Sequence, residues 1–310
     1  MPRPQALPSH LARAPFFTVA QAREAGLTPG RLRSGDLVTP TRGLRQRAAA
    51  AADAAAGEED PVLARVRIMA AALPADGAFS HLTAARLLDL PTPRAWQAGE
   101  PVQVMRATGT PLVVRDGCVG HRGLESRGVV VHRGVRVVDP LNTLADLAGW
   151  ALDDLVAAAD VVAARFPDAW VEHMPRVMAR RRGGRGVARL RQAVALARPA
   201  SASAWESKAR VAFGLWGLPE PELNVDVLDG DGCWLARPDF VWRAAHVVAE
   251  YDGDQHRTDR RAWQYERERR AGLEDAGWAY VELTALTLTQ PDLRERLRRR
   301  LQAYLTARCA

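Results

Sequence analysis

Two short apolar segments in the last third of the chain, each next to a carboxylate, constrain the fold most. Asp239 begins one predicted strand, and Glu250 lies near the end of the next, eleven residues later. The connection between these strands is short, which predicts an antiparallel hairpin that brings the two carboxylates together. Side chains alternate along a strand, so Glu250 and Asp252 share one face. Two or three carboxylates therefore converge on one side of a sheet.

Converging carboxylates have a direct chemical consequence. They raise one another's pKa unless a cation lies among them. Ligand sets made only of oxygen suit a hard ion such as Mg²⁺ or Mn²⁺. Such an ion can activate water and stabilise the charge that develops on a phosphodiester during hydrolysis. The pattern favours a site for Mg²⁺ or Mn²⁺.

Charge is distributed unevenly along the 310 residues, whose formal net charge is +7. Residues 1–200 carry 27 basic and 18 acidic side chains, whereas residues 201–310 carry 16 and 18. A field that attracts nucleic acid is therefore expected in the first two-thirds. A bound metal ion would explain why the last third is acidic.

Changes in composition predict an α/β multi-domain chain. An alanine-rich run over 48–57 marks one seam, and arginine-, glycine- and serine-rich segments over 180–204 mark another. We expect four parts: a winged helix-turn-helix over 1–50, an α+β middle domain over 58–178, a basic linker with a short helix over 179–202, and a final domain over 203–310.

The first part has the pattern helix, turn, helix, hairpin. Thr18 can cap a helix that Gly26 ends, and Thr28 can cap a second helix through Arg33. A two-stranded hairpin follows, as in winged helix-turn-helix domains. The side chains expected to meet phosphates are Arg31, Arg33, Arg42 and Arg45. A protein-contact module with solvated arginines is the alternative.

Three short motifs give the first half a family resemblance. They are Thr18-Val19-Ala20-Gln21-Ala22 with Gly26, Ser80-His81-Leu82-Thr83-Ala84-Ala85, and Asp139-Pro140-Leu141-Asn142-Thr143-Leu144-Ala145-Asp146-Leu147. Residues 15–170 resemble the AbiEi family of type IV antitoxins. The resemblance implies an N-terminal winged helix and a role in transcriptional regulation.

The last domain carries a second resemblance, over about residues 203–300. It rests on Glu206, Pro238-Asp239-Phe240, Glu250-Tyr251-Asp252-Gly253 with His256, and the basic helix from Tyr265 to Gly277-Trp278. This arrangement resembles the PD-(D/E)XK nucleases, in particular the VSR-like branch and its relatives called domain of unknown function 559. The resemblance implies a restriction-endonuclease-like αβββαβ fold.

The nuclease resemblance also implies roles for individual residues. Asp239, Glu250 and Asp252 would hold the metal ion, and Glu206 would complete the acidic cluster. His256 would act as a general base or acid. Arg267 and Arg270 would contact phosphates. This chain departs from the pattern at Asp252, where nucleases of the wider superfamily carry a lysine, and at Glu282, where relatives often carry an arginine.

Each of these residues also has a structural interpretation. Glu206 lies in a Ser203 capping box, which satisfies the backbone at a helix start. Asp239 after a proline and Asp252 before a glycine can each form a turn. His256 can lie in a surface loop, and the arginines of the basic helix can form a solvated face.

These patterns predict a metal-dependent DNA endonuclease whose N-terminal module binds DNA. The alternative is an AbiEi-type transcriptional regulator with an inactive nuclease-like domain, and a phage-defence effector would combine both roles. We expect a cytoplasmic protein with a DNA partner, a toxin or defence partner in the alternative, and no membrane span.

Cys118, Cys233 and Cys309 form no CxxC pair, which argues against a zinc knuckle. The sequence patterns suit either DNA or RNA as the substrate.

Overall fold

The protein is a multi-domain α/β chain, described here from a computed structural model. The structure describes residues 5–56, 60–181, 183–253 and 260–307. Contacts between Cα atoms divide the chain into two compact units, Met1–Asp146 and Leu147–Ala310. The boundary therefore lies inside the stretch expected to form the middle domain. Residues 147–202 belong to the same unit as the C-terminal residues.

The first unit contains six α-helices and two sheets within its described residues. Its helices are α1 Ser9–Arg13, α2 Val19–Glu24, α3 Ala48–Ala56, α4 Pro61–Ala70, α5 His81–Leu87 and α6 Pro140–Asp146. Its strands are β1 Phe17–Thr18, β2 Leu37–Val38, β3 Leu44–Arg47, β4 Ala78–Phe79, β5 Val102–Arg106, β6 Cys118–Arg122, β7 Val129–His132 and β8 Val135–Val138. They form sheets in the orders β1-β3-β2 and β6-β5-β4-β8-β7.

The N-terminal segment agrees with the sequence in its first helix and its hairpin, but not in its second helix. Thr18 caps α2 through a capping box with Gln21, and Gly26 follows with φ of 79°. Strands β2 and β3 pair antiparallel. The expected helix from Thr28 is only a 3₁₀ turn, Arg31–Arg33. A turn this short lacks the length with which a recognition helix follows a DNA groove.

The Asp139 motif of the first unit has a structural role. Asp139 precedes α6 and accepts hydrogen bonds from the backbone N–H and the side-chain amide of Asn142, at 2.9 and 2.7 Å. Gly128 lies against it, and a Cβ at that position would be 2.0 Å from Asp139 Oδ2. A side chain at Gly128 would displace the Asp139 carboxylate, so this motif fixes the start of α6 against the start of β7.

The second unit places helices on both sides of a four-stranded sheet. Its helices are α7 Leu152–Arg165, α8 Pro167–Arg180, α9 Val187–Leu196, α10 Ala204–Leu215, α11 Arg260–Asp275, α12 Ala285–Thr289 and α13 Pro291–Ala307. Its strands are β9 Glu222–Leu223, β10 Val227–Leu228, β11 Trp234–Ala236, β12 Phe240–Trp242, β13 Val247–Tyr251 and β14 Ala279–Leu283. No helix in the described ranges is both long and apolar enough to cross a membrane.

The four-stranded sheet has the order β14-β13-β12-β9, and β10 pairs with β11 in a separate hairpin. Strand β12 runs antiparallel to β13, as the sequence predicts, and β13 runs parallel to β14. Because side chains alternate along a strand, successive side chains of β13 lie in two different hydrophobic cores. Val247 and Ala249 pack with Phe213 of α10 and Leu301 of α13. Val248 packs on the opposite face, in a core that includes Leu273 of α11.

Candidate active site

Glu250 lies near the end of β13 and is buried, with only 10% of its side chain exposed. Both of its carboxylate oxygens accept hydrogen bonds from Arg269 of α11, at 2.5 and 2.6 Å. The Tyr280 hydroxyl of β14 donates a third hydrogen bond, at 2.9 Å. A bidentate arginine and a hydroxyl therefore neutralise and orient this carboxylate.

Asp239 directly precedes β12, whose first residue Phe240 pairs with Ala249. This register puts Asp239 beside Glu250, as the predicted hairpin requires. Its Oδ2 accepts a hydrogen bond from the Tyr251 backbone N–H at 2.7 Å. Burial raises the pKa of Asp239 to about 7 against the lowering effect of the Tyr251 N–H. The negative charges of Glu206 and Glu250 also raise it, and the Arg269 charge lowers it.

Glu206 comes to the same region from the first turn of α10. Ser203 caps this helix by accepting a hydrogen bond from the Glu206 N–H. The Glu206 Oε2 atom accepts hydrogen bonds from the Ala202 N–H at 2.8 Å and from the Asn224 amide at 3.0 Å. Glu206 therefore satisfies the backbone near the helix start, as in its structural interpretation. It is also buried, and its charge acts on Asp239.

The donor chemistry of this cluster suits a hard divalent cation. Glu206, Asp239 and Glu250 offer only carboxylate oxygens, and burial, together with the charges of Glu206 and Glu250, raises the pKa of Asp239. As arranged, the side chains of the described ranges form no group of three or more His, Cys, Asp or Glu able to hold a metal ion. Both Glu250 oxygens are engaged by Arg269. The residues fit the ion by chemistry, provided that Arg269 releases Glu250.

The other residues expected at this site lie in different settings. Asp252 follows β13, is half-buried, and its N–H donates to the Leu283 carbonyl at 2.8 Å. Arg267 is exposed on α11. Arg270 is also exposed, pairs with Glu274 at 3.1 Å and covers the Tyr280 ring at 4.6 Å. His256 lies outside the described residues.

The arginines expected to bind nucleic acid in the first unit differ in their exposure. Arg31 is buried, donates to both Asp36 oxygens at 2.9 and 2.8 Å, and lowers the pKa of that carboxyl. The Arg31 guanidinium is therefore engaged by Asp36 inside the unit, and Arg31 is not part of a surface that contacts a ligand. Arg45 is half-buried and donates to the Leu32 carbonyl at 2.8 Å. Arg33 and Arg42 are exposed.

Sequence reasoning missed Arg269, Tyr280 and Asn224. Arg269 was grouped with the solvated face of the basic helix, yet it lies four residues before Leu273, which is buried. Positions four apart share one face of a helix, so this spacing would have placed Arg269 on the inward side. Tyr280 lies on the inward face of β14, in the same core as Val248. No sequence signal pointed to Asn224.

Comparison with known proteins gives little functional information. No family model matches the chain. Two curated relatives are uncharacterized proteins of Mycobacterium tuberculosis, MT2308 from strain CDC 1551 / Oshkosh and Rv2248 from strain ATCC 25618 / H37Rv. Each is 32% identical over 106 residues, which make up 34% of this chain and 39% of the relative. The chain thus spans about two-fifths of the length of these relatives.

Proposed function

We propose that the second unit is a metal-dependent nuclease domain of the PD-(D/E)XK type that hydrolyses phosphodiester bonds of DNA. One observation supports this most: Asp239 is half-buried beside the buried Glu206 and Glu250, and its pKa is raised to about 7. Structural carboxylates are usually paired with cations, whereas a buried acidic cluster with a strongly shifted pKa is typical of functional sites.

Asp239 and Glu250 would hold Mg²⁺ or Mn²⁺, with Glu206 completing the acidic cluster. The bound ion would activate water and stabilise the charge that develops on the phosphodiester. The protein's own contribution is to position the ligands. The Tyr251 N–H fixes Asp239, the Tyr280 hydroxyl fixes one Glu250 oxygen, and Asn224 fixes Glu206.

Exposed arginines support nucleic acid as the ligand in both units. Arg33 and Arg42 are exposed in the first unit, and Arg267 and Arg270 are exposed on α11 of the second. Arginine side chains supply the phosphate contacts that dominate affinity for DNA. We therefore propose that the first unit holds DNA through these exposed arginines and that the second unit cleaves it.

The direct test is cleavage of supercoiled plasmid DNA by the purified full chain with Mg²⁺ or Mn²⁺. We expect nicking that EDTA abolishes and that Asp239→Ala and Glu250→Ala each slow by about 100-fold or more, since a catalytic metal contributes several kcal/mol. Asp275→Ala, which removes an exposed carboxylate of α11, is the control and should leave the rate unchanged. Cleavage that is equally fast in all variants would contradict the proposal.

The bidentate Glu250–Arg269 pair favours a second candidate function. A carboxylate that is already neutralised needs no metal ion, which suits an AbiEi-type regulator with an inactive nuclease-like domain. In that case no metal supports cleavage, but the chain still shifts duplex DNA in a salt-sensitive way. The double variant Arg33→Ala/Arg42→Ala should then weaken the shift in gel electrophoresis with EDTA present.

A further inference from the structure

The two central carboxylates of the acidic cluster are neutralised differently. Glu250 has an arginine on both oxygens and a tyrosine hydroxyl on one of them. Asp239 has the Tyr251 N–H, and its pKa is raised to about 7. Arg269 thus donates hydrogen bonds to both Glu250 oxygens, while toward Asp239 its charge lowers the pKa without offsetting the effect of burial.

The Glu250–Arg269 pair lies largely out of water. The side chains are 10% and 16% exposed, so solvent screens their charges weakly. Paired Arg–carboxylate groups of this bidentate form are among the strongest charge-assisted hydrogen bonds. A divalent ion that binds the same two oxygens meets the guanidinium within a few ångströms, and the two cations repel each other. Metal and arginine therefore compete for Glu250.

We propose that Arg269 is an internal counter-cation of Glu250, and that a divalent metal ion must displace it before the acidic cluster can act. This inference rests on the proposed nuclease function. It makes Arg269 a positioning residue that keeps Glu250 neutral and oriented in the absence of metal. It also predicts that the affinity of the protein for metal is lower than its carboxylates alone would give.

The test measures Mn²⁺ binding to the full chain by titration, with free Mn²⁺ followed by electron paramagnetic resonance. Arg269→Gln should bind Mn²⁺ about tenfold more tightly than the unaltered protein, because the competing charge is gone. Arg299→Gln is the matched control, since it removes the same charge from an exposed position of α13, where Arg299 pairs with Glu295. It should bind within twofold of the unaltered protein.

Thermal unfolding gives a second readout that a purely structural role would not produce. Without metal, Arg269→Gln should melt several degrees below the unaltered protein, because Glu250 is left buried and unpaired. Saturating Mn²⁺ should then raise its melting temperature by more than it raises that of the unaltered protein. Arg269→Lys retains one charge, without the bidentate geometry, and should bind Mn²⁺ about threefold more tightly. If Arg269→Gln does not fold, the Mn²⁺ affinity of Arg269→Lys tests the inference instead.

Two results would overturn the inference, and they are distinguishable. If the unaltered protein binds Mn²⁺ but neither Arg269 variant binds it more tightly, Arg269 does not compete for Glu250, and the proposed metal site itself survives. If neither the unaltered protein nor any variant binds Mn²⁺, Glu250 is not a metal ligand. The inference and the proposed function then fall together.

Discussion

Asp160→Asn should lower the free energy of unfolding of the second unit by about 3–5 kcal/mol, the usual cost of breaking a buried ion pair. Asp160 lies on α7 and pairs with Arg210 of α10 at 2.8 Å, with side chains 1% and 4% exposed. Ser207 and the Arg198 N–H also donate to Asp160, at 2.7 and 2.6 Å. Asparagine keeps the shape but leaves the Arg210 charge buried without its counterion.

Tryptophan fluorescence during urea unfolding measures this effect, since eight of the nine tryptophans follow residue 146. The chain offers a matched control in Asp154→Asn. Asp154 also joins α7 to α10, through Lys208 at 2.6 Å, but the two side chains are more exposed, at 14% and 22%. Asp154→Asn should lower the free energy of unfolding by about 1 kcal/mol or less. Equal losses in the two variants would show that burial of the Asp160–Arg210 pair does not set its contribution.

Asp239→Asn should stabilise the protein at pH 8, by roughly 2–4 kcal/mol, while removing a proposed metal ligand. A raised pKa means that the folded protein binds the Asp239 proton more tightly than the unfolded chain does. A shift of about three pKa units corresponds to about 4 kcal/mol at most. The neutral amide removes this penalty, and its oxygen can still accept the Tyr251 N–H.

The difference in stability between Asp239→Asn and the unaltered protein should depend on pH. Below about pH 4, Asp239 is protonated in both states, so the variant and the unaltered protein should be equally stable at this site. Between pH 4 and 7 the unfolded chain loses the proton first, and the unaltered protein is progressively destabilised relative to the variant. The difference should be complete above about pH 7.

Urea unfolding at several pH values, without metal, measures the Asp239→Asn difference. Asp275→Asn removes an exposed carboxylate of α11 and should change stability by at most about 0.5 kcal/mol. A loss of stability in Asp239→Asn at pH 8, or a difference that does not vary with pH, would mean that Asp239 is not in a strained acidic cluster.

Strongly patterned elements were predictable from the sequence. Helix α2 begins after its Thr18 cap and ends before Gly26, and β12 pairs antiparallel with β13, as the sequence predicts. Strand β6 and helix α8 were missed. Gly120 interrupts β6, and α8 contains Pro175, which ordinarily indicates a helix end. Asp160 was missed because it lies among apolar residues on the buried side of α7.

The candidate site was predictable where it depends on strand pairing. The hairpin of β12 and β13 brings Asp239 beside Glu250, and spacing alone indicated that arrangement. The partners of these carboxylates depend on tertiary packing, which one sequence does not encode in a local pattern. Arg269 reaches Glu250 only because α11 packs over β13, and Asn224 reaches Glu206 from the loop after β9. Whether the carboxylates bind metal is still a prediction.

The most direct test of the account is a crystal of the protein soaked in Mn²⁺, with the ion located by its anomalous scattering. We expect an ion bound by carboxylate oxygens of Asp239 and Glu250, at about 2.1 Å, with the Arg269 guanidinium turned away from Glu250. A crystal that shows no ion there at saturating Mn²⁺, and Glu250 still held by both Arg269 nitrogens, would contradict it.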